Sequence, residues 1–200
     1  FTRTDANSLW AVESDVLAYR FNLLSGGGPG FVGDVLAKNR QFPGYSLHLF
    51  DPLISGVRVL VGRCDPPDAF GIGSVLAWHG GAWQPARGAG AKTEARRLID
   101  GRVRSVGEIE TTGWLADGGR YGVKARYSMY AGQRYLRCDL AVTAEQGQGG
   151  RFAIGLMKLE NEKSDIDVAG GRLSLWGDRP AINAKDLGLA ALFGPRDVKG

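Results

Sequence analysis

Hydrophobic and polar positions alternate along most of this chain. Between residues 119 and 130, Val123, Ala125, Tyr127 and Met129 alternate with Lys124, Arg126, Ser128 and Tyr130. Between residues 133 and 144, Leu136, Cys138, Leu140 and Val142 share one face, and Tyr135, Arg137, Asp139 and Thr143 share the other. Period two with one apolar face predicts half-buried antiparallel strands. Residues 102–111 extend the pattern, with Val103 and Ile109 opposed to Arg102, Arg104, Glu108 and Glu110. Further strands are predicted over 8–13, 16–23, 45–50, 57–61, 74–78, 151–158 and 172–176. Ala131-Gly132 and Asp117-Gly118-Gly119 read as turns between strands. Helical spacing is scarce, and only residues 92–99 and 184–192 carry enough for about two turns. The expected fold is all-β: a large antiparallel β-sandwich with few short helices.

Composition supports that picture. The chain has 200 residues, and 31 glycines and 8 prolines punctuate the patterned segments. The glycines show no three-residue period, which removes a collagen-like helix. A hydrophobic content of 44% with 23% charged residues is that of a folded domain, not of a disordered one. The length fits a single domain over residues 1–200. The chain opens on Phe1 and enters patterned sequence at once, so a longer precursor is expected.

Charge narrows the partners. Net charge is +4, with the basic residues scattered. The densest cluster, Arg96, Arg97, Arg102 and Arg104, is broken by Asp100 and followed by Glu108 and Glu110. Nucleic acid is therefore not the expected partner, whereas an acidic ligand suits such a surface. No apolar run is long enough to span a bilayer as a helix, and no insertion is expected. Cys64 and Cys138 are too few for a structural zinc site. A disulfide and two buried thiols remain equally open.

Several motifs invite chemistry. Gly28-Pro-Gly30-Phe-Val-Gly33 has dinucleotide-fingerprint spacing, but no helix follows whose N-terminus would hold a pyrophosphate. A glycine-rich loop at a sheet edge is the expectation, with no cofactor. No spacing of His, Asp or Glu recommends a metal, and no Gly-x-Ser-x-Gly elbow is present. His48 and His79 are the only two histidines and so the candidate acid or base residues. His48 reads equally as a hydrogen-bonded structural residue. His79 lies between Trp78 and Trp83 beside two glycines, which suggests an exposed loop with flat surfaces for sugar rings. Trp78 in the core is the alternative. Lys124, Arg126, Ser128, Tyr130, Arg134, Tyr135 and Arg137 form a polar face. It is either solvated or a groove in which arginines bind uronate carboxylates and phenols stack or transfer protons.

The segment Trp10-Ala-Val-Glu-Ser-Asp-Val-Leu-Ala-Tyr-Arg20 resembles the W-E-N-D-x-x-A-Y-R opening of a bacterial family of secreted proteins classed as a domain of unknown function. Tyr45-Ser-Leu-His48 is similar to that family's Y-H segment. The block from Gly71 through Trp78-His79-Gly-Gly resembles its glycine-rich stretch. Tyr127-Ser-Met-Tyr-Ala-Gly-Gln-Arg134 falls where the family has strand, turn and strand. The resemblance covers about residues 8–145. It implies a galactose-mutarotase-like supersandwich, a periplasmic or secreted location, and work on acidic plant or algal glycans. After His48 the chain departs from the family, with Phe50-Asp-Pro-Leu-Ile-Ser in place of an acidic Asp–Gly-rich run, which argues against a metal there.

The expected activity is uronate chemistry by β-elimination on an acidic polysaccharide or oligosaccharide. That reaction must neutralise a carboxylate, remove the C5 proton and protonate the leaving oxygen. The candidates are Arg20 or Arg134 for the first, His48 or His79 for the second, and Tyr45, Tyr19 or Tyr130 for the third. Glu13 and Asp15 would orient them or bind a hydroxyl, and Trp78, Trp83 and Arg126 would contact the sugar. A glycoside hydrolase needs two carboxyls at defined separation. A non-catalytic glycan-binding module would stack sugars on Trp78, Trp83 and Trp114, and a sugar epimerase shares the expected fold. Fold alone selects none of them, and the oligomeric state is left open.

Overall fold

The structure, a computed structural model, describes residues 2–4, 9–13, 17–25, 28–37, 60–61, 75–85, 90–133, 135–154, 156, 159–179 and 184–197, with side chains from Val75 onward except at 85, 179 and 184–187. All regular structure among these residues is strand, and every pairing is antiparallel. Four sheets form. β1 (Thr2–Thr4), β2 (Leu9–Glu13), β3 (Leu17–Ser25), β4 (Gly28–Ala37) and β5 (Leu60–Val61) make a meander in chain order. β6 (Val75–His79) lies between β7 (Ala82–Pro85) and β12 (Phe152–Ile154). β8 (Lys92–Asp100), β9 (Arg104–Ala116), β10 (Gly119–Tyr130) and β11 (Arg137–Gly147) form a four-stranded sheet in order β11-β10-β9-β8. β13 (Glu160–Asp167), β14 (Arg172–Arg179) and β15 (Ala184–Leu192) form the last.

The pleat of β10 organises the core. Val123, Ala125, Tyr127 and Met129 are buried on the face predicted for them, and Ile109 and Trp114 from β9 join them. Val75 and Ala77 of β6, with Phe152 of β12, cover this face. Two sheets thus pack face to face, as a sandwich requires. Phe152 anchors the contact, its ring 5.0 Å from Tyr121 and 5.6 Å from Trp114, in the tilted geometries aromatic pairs favour. Burying these large rings removes most of their apolar area from water, at about 25 cal/mol per Å².

The two segments with weak helical spacing are strands β8 and β15. In β8, Ala95 sits opposite Ile109 and Arg96 opposite Glu108. Cross-strand partners on β9 outweigh a local preference that two turns of helix cannot satisfy alone. The glycines at 28, 30 and 33 lie within strand β4, paired to β3, and not in a loop. Ala131-Gly132 turns as expected, but β10 and β11 resume pairing only at Ser128–Arg137, so the connection is longer than a two-residue hairpin. Trp114 is fully buried in the core, which removes it as a stacking platform. Cys138 is a free thiol. Desolvation pushes it up to about 11, so it remains protonated at neutral pH. Cys64 lies outside the described residues.

The opposite face of the four-stranded sheet is ionic. Arg96, Glu108 and Arg126 stand in one cross-strand row over β8, β9 and β10. Arg96 Nε donates to Glu108 Oε1 at 2.9 Å, supported by its Nη2. Arg126 donates to Oε2 through Nε at 3.1 Å and Nη2 at 2.8 Å. Glu108 is only 1% exposed although both arginines remain more than half exposed, so its carboxylate is sealed by the guanidinium groups themselves. Desolvation pushes the Glu108 pKa up. The hydrogen bonds and charges of Arg96 and Arg126 outweigh it and hold the carboxyl below its usual value.

A depressed folded-state pKa stabilises the fold above the unfolded carboxyl pKa, and that contribution disappears as pH falls through the folded value. We expect Glu108→Gln to lower the unfolding free energy by about 2–3 kcal/mol at neutral pH, because the two arginines lose a shared partner but can rehydrate. Urea titrations should show the gap between wild type and variant narrowing in acid. A gap independent of pH would contradict this role.

Candidate functional site

Trp78 and His79 end β6, and the hairpin to β7 turns on Gly80 and Gly81 at φ of 62° and 84°. Two consecutive residues with positive φ form the tight turn whose twist matches paired strands, which is why two glycines stand there. The turn places Trp83 opposite Trp78, their rings edge to face with centroids 5.3 Å apart. Trp83 keeps 39% of its surface exposed.

Two distant segments meet this hairpin through the Trp78 peptide. Its N–H donates to the Arg151 carbonyl at 2.9 Å, and its carbonyl accepts from the Asp117 N–H at 2.8 Å. The first contact sets the Arg151 guanidinium 4.7 Å over the Trp78 ring, a cation–π arrangement. The second brings the β9–β10 turn alongside the tip. Asp117 Oδ1 accepts from the Gly80 N–H at 3.1 Å and lies 3.3 Å from His79 Nδ1. The His79–Asp117 approach is too bent for a formed hydrogen bond, yet Nδ1 is buried with no other partner among the described residues. Both side chains remain nearly half exposed. Gln84 Nε2 donates to the His79 carbonyl at 3.2 Å and steadies the backbone.

The arrangement is an imidazole with a carboxylate beside one ring nitrogen, a cation on an indole, and a second, open indole. With Asp117 at Nδ1, the Nε2 atom is the nitrogen available to give or take a proton, the orientation logic of acid–base histidines. An exposed indole face suits the C–H side of a pyranose, and an exposed guanidinium suits a carboxylate. Among the described residues no group of three His, Cys, Asp or Glu gathers with metal-ligand geometry.

Of the residues expected from sequence, His79, Trp78 and Trp83 come together here. Glu13, Tyr19 and Arg20 have described backbones in the meander, where Glu13 lies opposite Ala18, Tyr19 opposite Val12 and Arg20 opposite Ala11. Asp15, Tyr45, His48 and Arg134 lie outside the described residues. Arg126 and Tyr130 are not part of the cluster. Arg126 is nine positions along β10 from Asp117, about 30 Å of strand, and binds Glu108. Tyr130 sits at the far end of β10 with Arg104 5.4 Å over its ring. Lys124 and Arg137 on the same polar face are paired with Glu110 and Asp139. Those cations have carboxylate partners, Lys124 and Arg126 across strands and Arg137 along its own, so this face reads as an ion network.

Asp117 and Arg151 were missed as site residues. Asp117-Gly-Gly announces a turn and Arg151 opens a strand, but neither pattern carries the long-range hydrogen bonds that bring them to Trp78.

The model of one protein family, Domain of unknown function (DUF4861), matches residues 68–199. The chain belongs to this family. No curated protein and no solved structure matches it. The DUF4861 segment contains His79, Asp117, Arg151, Trp78 and Trp83, and leaves out the Trp10–Arg20 and Tyr45–His48 motifs. The cluster therefore belongs wholly to the DUF4861 part of the chain.

The carboxylate of Asp117 holds the hairpin tip through Gly80. We expect Asp117→Ala to speed amide exchange at Gly80 by about five-fold, equivalent to one modest hydrogen bond, with global stability nearly unchanged. Unaltered exchange at Gly80 in solution NMR would show that Asp117 does not hold the tip.

Proposed function

We propose that this chain is a carbohydrate-active protein that acts on uronate-containing polysaccharides or oligosaccharides, by lyase-type β-elimination at the His79 end of the sandwich. The observation that carries the proposal is the convergence of three different groups on one hairpin tip. His79 with Asp117 supplies a base, Arg151 on Trp78 supplies a cation, and the open face of Trp83 supplies a stacking surface. In this reading Arg151 binds the uronate carboxylate and lowers the cost of carbanion character at C5. His79 Nε2 takes the C5 proton, the C4–O bond breaks as the C4–C5 double bond forms, and the imidazolium returns its proton to the departing oxygen. Asp117 stabilises the imidazolium between the two transfers.

A non-catalytic glycan-binding module is the second reading. It is favoured by the geometry of His79–Asp117, whose separation of 3.3 Å lies off the hydrogen-bond line. Catalytic hydrogen bonds are often loose before substrate arrives, so this does not displace the first reading. Glycoside hydrolysis is less well served, because among the described residues Asp117 is the single carboxylate at the cluster. A substrate of this class places the protein in the periplasm or outside the cell, where such polymers occur.

Incubation with pectin, alginate and ulvan, followed by absorbance at the unsaturated-uronate band, tests the proposal. Wild type should give a rising trace on at least one polymer. His79→Ala should lose about 100-fold or more of that rate, within the range for removing a general acid–base group. Trp83→Ala should raise KM more than it lowers kcat. Release of reducing ends without absorbance would indicate hydrolysis. Retention on the polymers with no turnover would indicate the binding module.

A further inference from the structure

The C-terminal sheet, β13-β14-β15, carries a second aromatic surface that the His79 cluster does not use. Trp176 on β14 is 56% exposed. Its cross-strand neighbours are Lys163 on β13 and Gly188 on β15. The indole lies directly over Gly188, where a Cβ would collide with the six-membered ring. Glycine there lets the ring lie down on the sheet, with its outer face open to solvent. The other side of this sheet is accounted for, because Leu175 and Leu189 pack with Leu156 and Leu159.

The surroundings of Trp176 are polar towards β13 and apolar towards β15, with charges of both signs. The next cross-strand row is Asp165, Ser174 and Ala190. Lys163, Asp165, Ser174, Trp176, Gly188 and Ala190 line an open depression of about 500 Å³. Arg172 donates to Asp165 Oδ2 through Nε at 3.1 Å and Nη2 at 2.6 Å, which leaves Oδ1 to accept another hydrogen. Lys163 has no ion pair among the described residues. One ammonium, one carboxylate edge and one hydroxyl therefore surround a flat apolar plate.

We infer that Trp176 is a stacking platform for a neutral pyranose of a glycan chain, separate from the His79 cluster. A sugar ring has a C–H face for the indole and a rim of hydroxyls, each able to donate and accept. That rim matches a donor at Lys163, an acceptor at Asp165 and both at Ser174. The charges on this face cancel, Arg172 and Lys163 against Asp165 and Asp167, so no net positive charge selects a uronate and the uncharged sugar fits as well without ionic recognition. A protein partner fits less well, since a stable interface needs about 1,000 Å² or more with an apolar centre, and the apolar part of this face is one indole with Gly188, Ala190 and Leu192 along a single strand beside it. The inference does not depend on turnover at His79.

Affinity electrophoresis in gels containing soluble neutral galactan, xylan or glucan tests it. At least one neutral glycan should slow the wild type. Trp176→Ala should weaken that retardation about ten-fold. A measurement that needs no variant guards against misfolding: the bound glycan should protect Trp176 of the wild type from oxidation by N-bromosuccinimide, as mapped by peptide mass. Wild-type mobility unaffected by every neutral glycan would overturn the inference. So would equal retardation of Trp176→Ala, no protection of Trp176, or self-association of the wild type that Trp176→Ala abolishes.

Discussion

The candidate site depends on the backbone N–H and carbonyl of Trp78. Each is taken by a separate part of the chain, the N–H by the Arg151 carbonyl and the carbonyl by the Asp117 N–H. A buried or half-buried strand end must satisfy both groups. Here that requirement draws a strand start and a hairpin turn to the same tip. The side chains of those two residues arrive with their backbones, which puts a guanidinium over the Trp78 ring and a carboxylate beside His79. The chemistry follows from a backbone constraint.

The sheet beneath is built to hold such a tip still. Its core face buries Tyr127, Ile109, Trp114 and Val123, with Phe152 wedged between Tyr121 and Trp114. Its outer face is tied across three strands by Glu108 and its two arginines. One face supplies burial, and the other supplies charge pairs that fix the strands side by side. This division explains why the cations of the outer face are poor candidates for an anionic ligand, while Arg151, stacked on an indole at the sheet end, is a better one.

The core strands were legible from period two. Val123, Ala125, Tyr127 and Met129 alternate so regularly that the buried face follows from the pattern, whereas the register that sets Ala125 opposite Ile109 does not. β13 was not legible, because every residue of Glu-Asn-Glu-Lys-Ser-Asp-Ile-Asp lacks a buried face to impose alternation, and its pairing to β14 alone makes it a strand. β8 looked faintly helical because only its partner on β9 decides between the two. The site was half legible. His79 between two tryptophans and two glycines announces an exposed tip. Asp117 and Arg151 come to it from positions 38 and 72 residues away in the chain, through backbone hydrogen bonds that no local pattern encodes.

The central claim is that the hairpin tip recognises a uronate through Arg151, His79 and Trp83 together. NMR titration with a defined uronate oligosaccharide tests it most directly, by following the His79 imidazole, the Trp83 indole N–H and the Arg151 guanidinium in one sample. The account predicts that all three signals move with a single dissociation constant, while the Trp176 indole stays in place. Signals that move with unrelated constants, or a uronate that perturbs Trp176 and leaves His79 untouched, would contradict it.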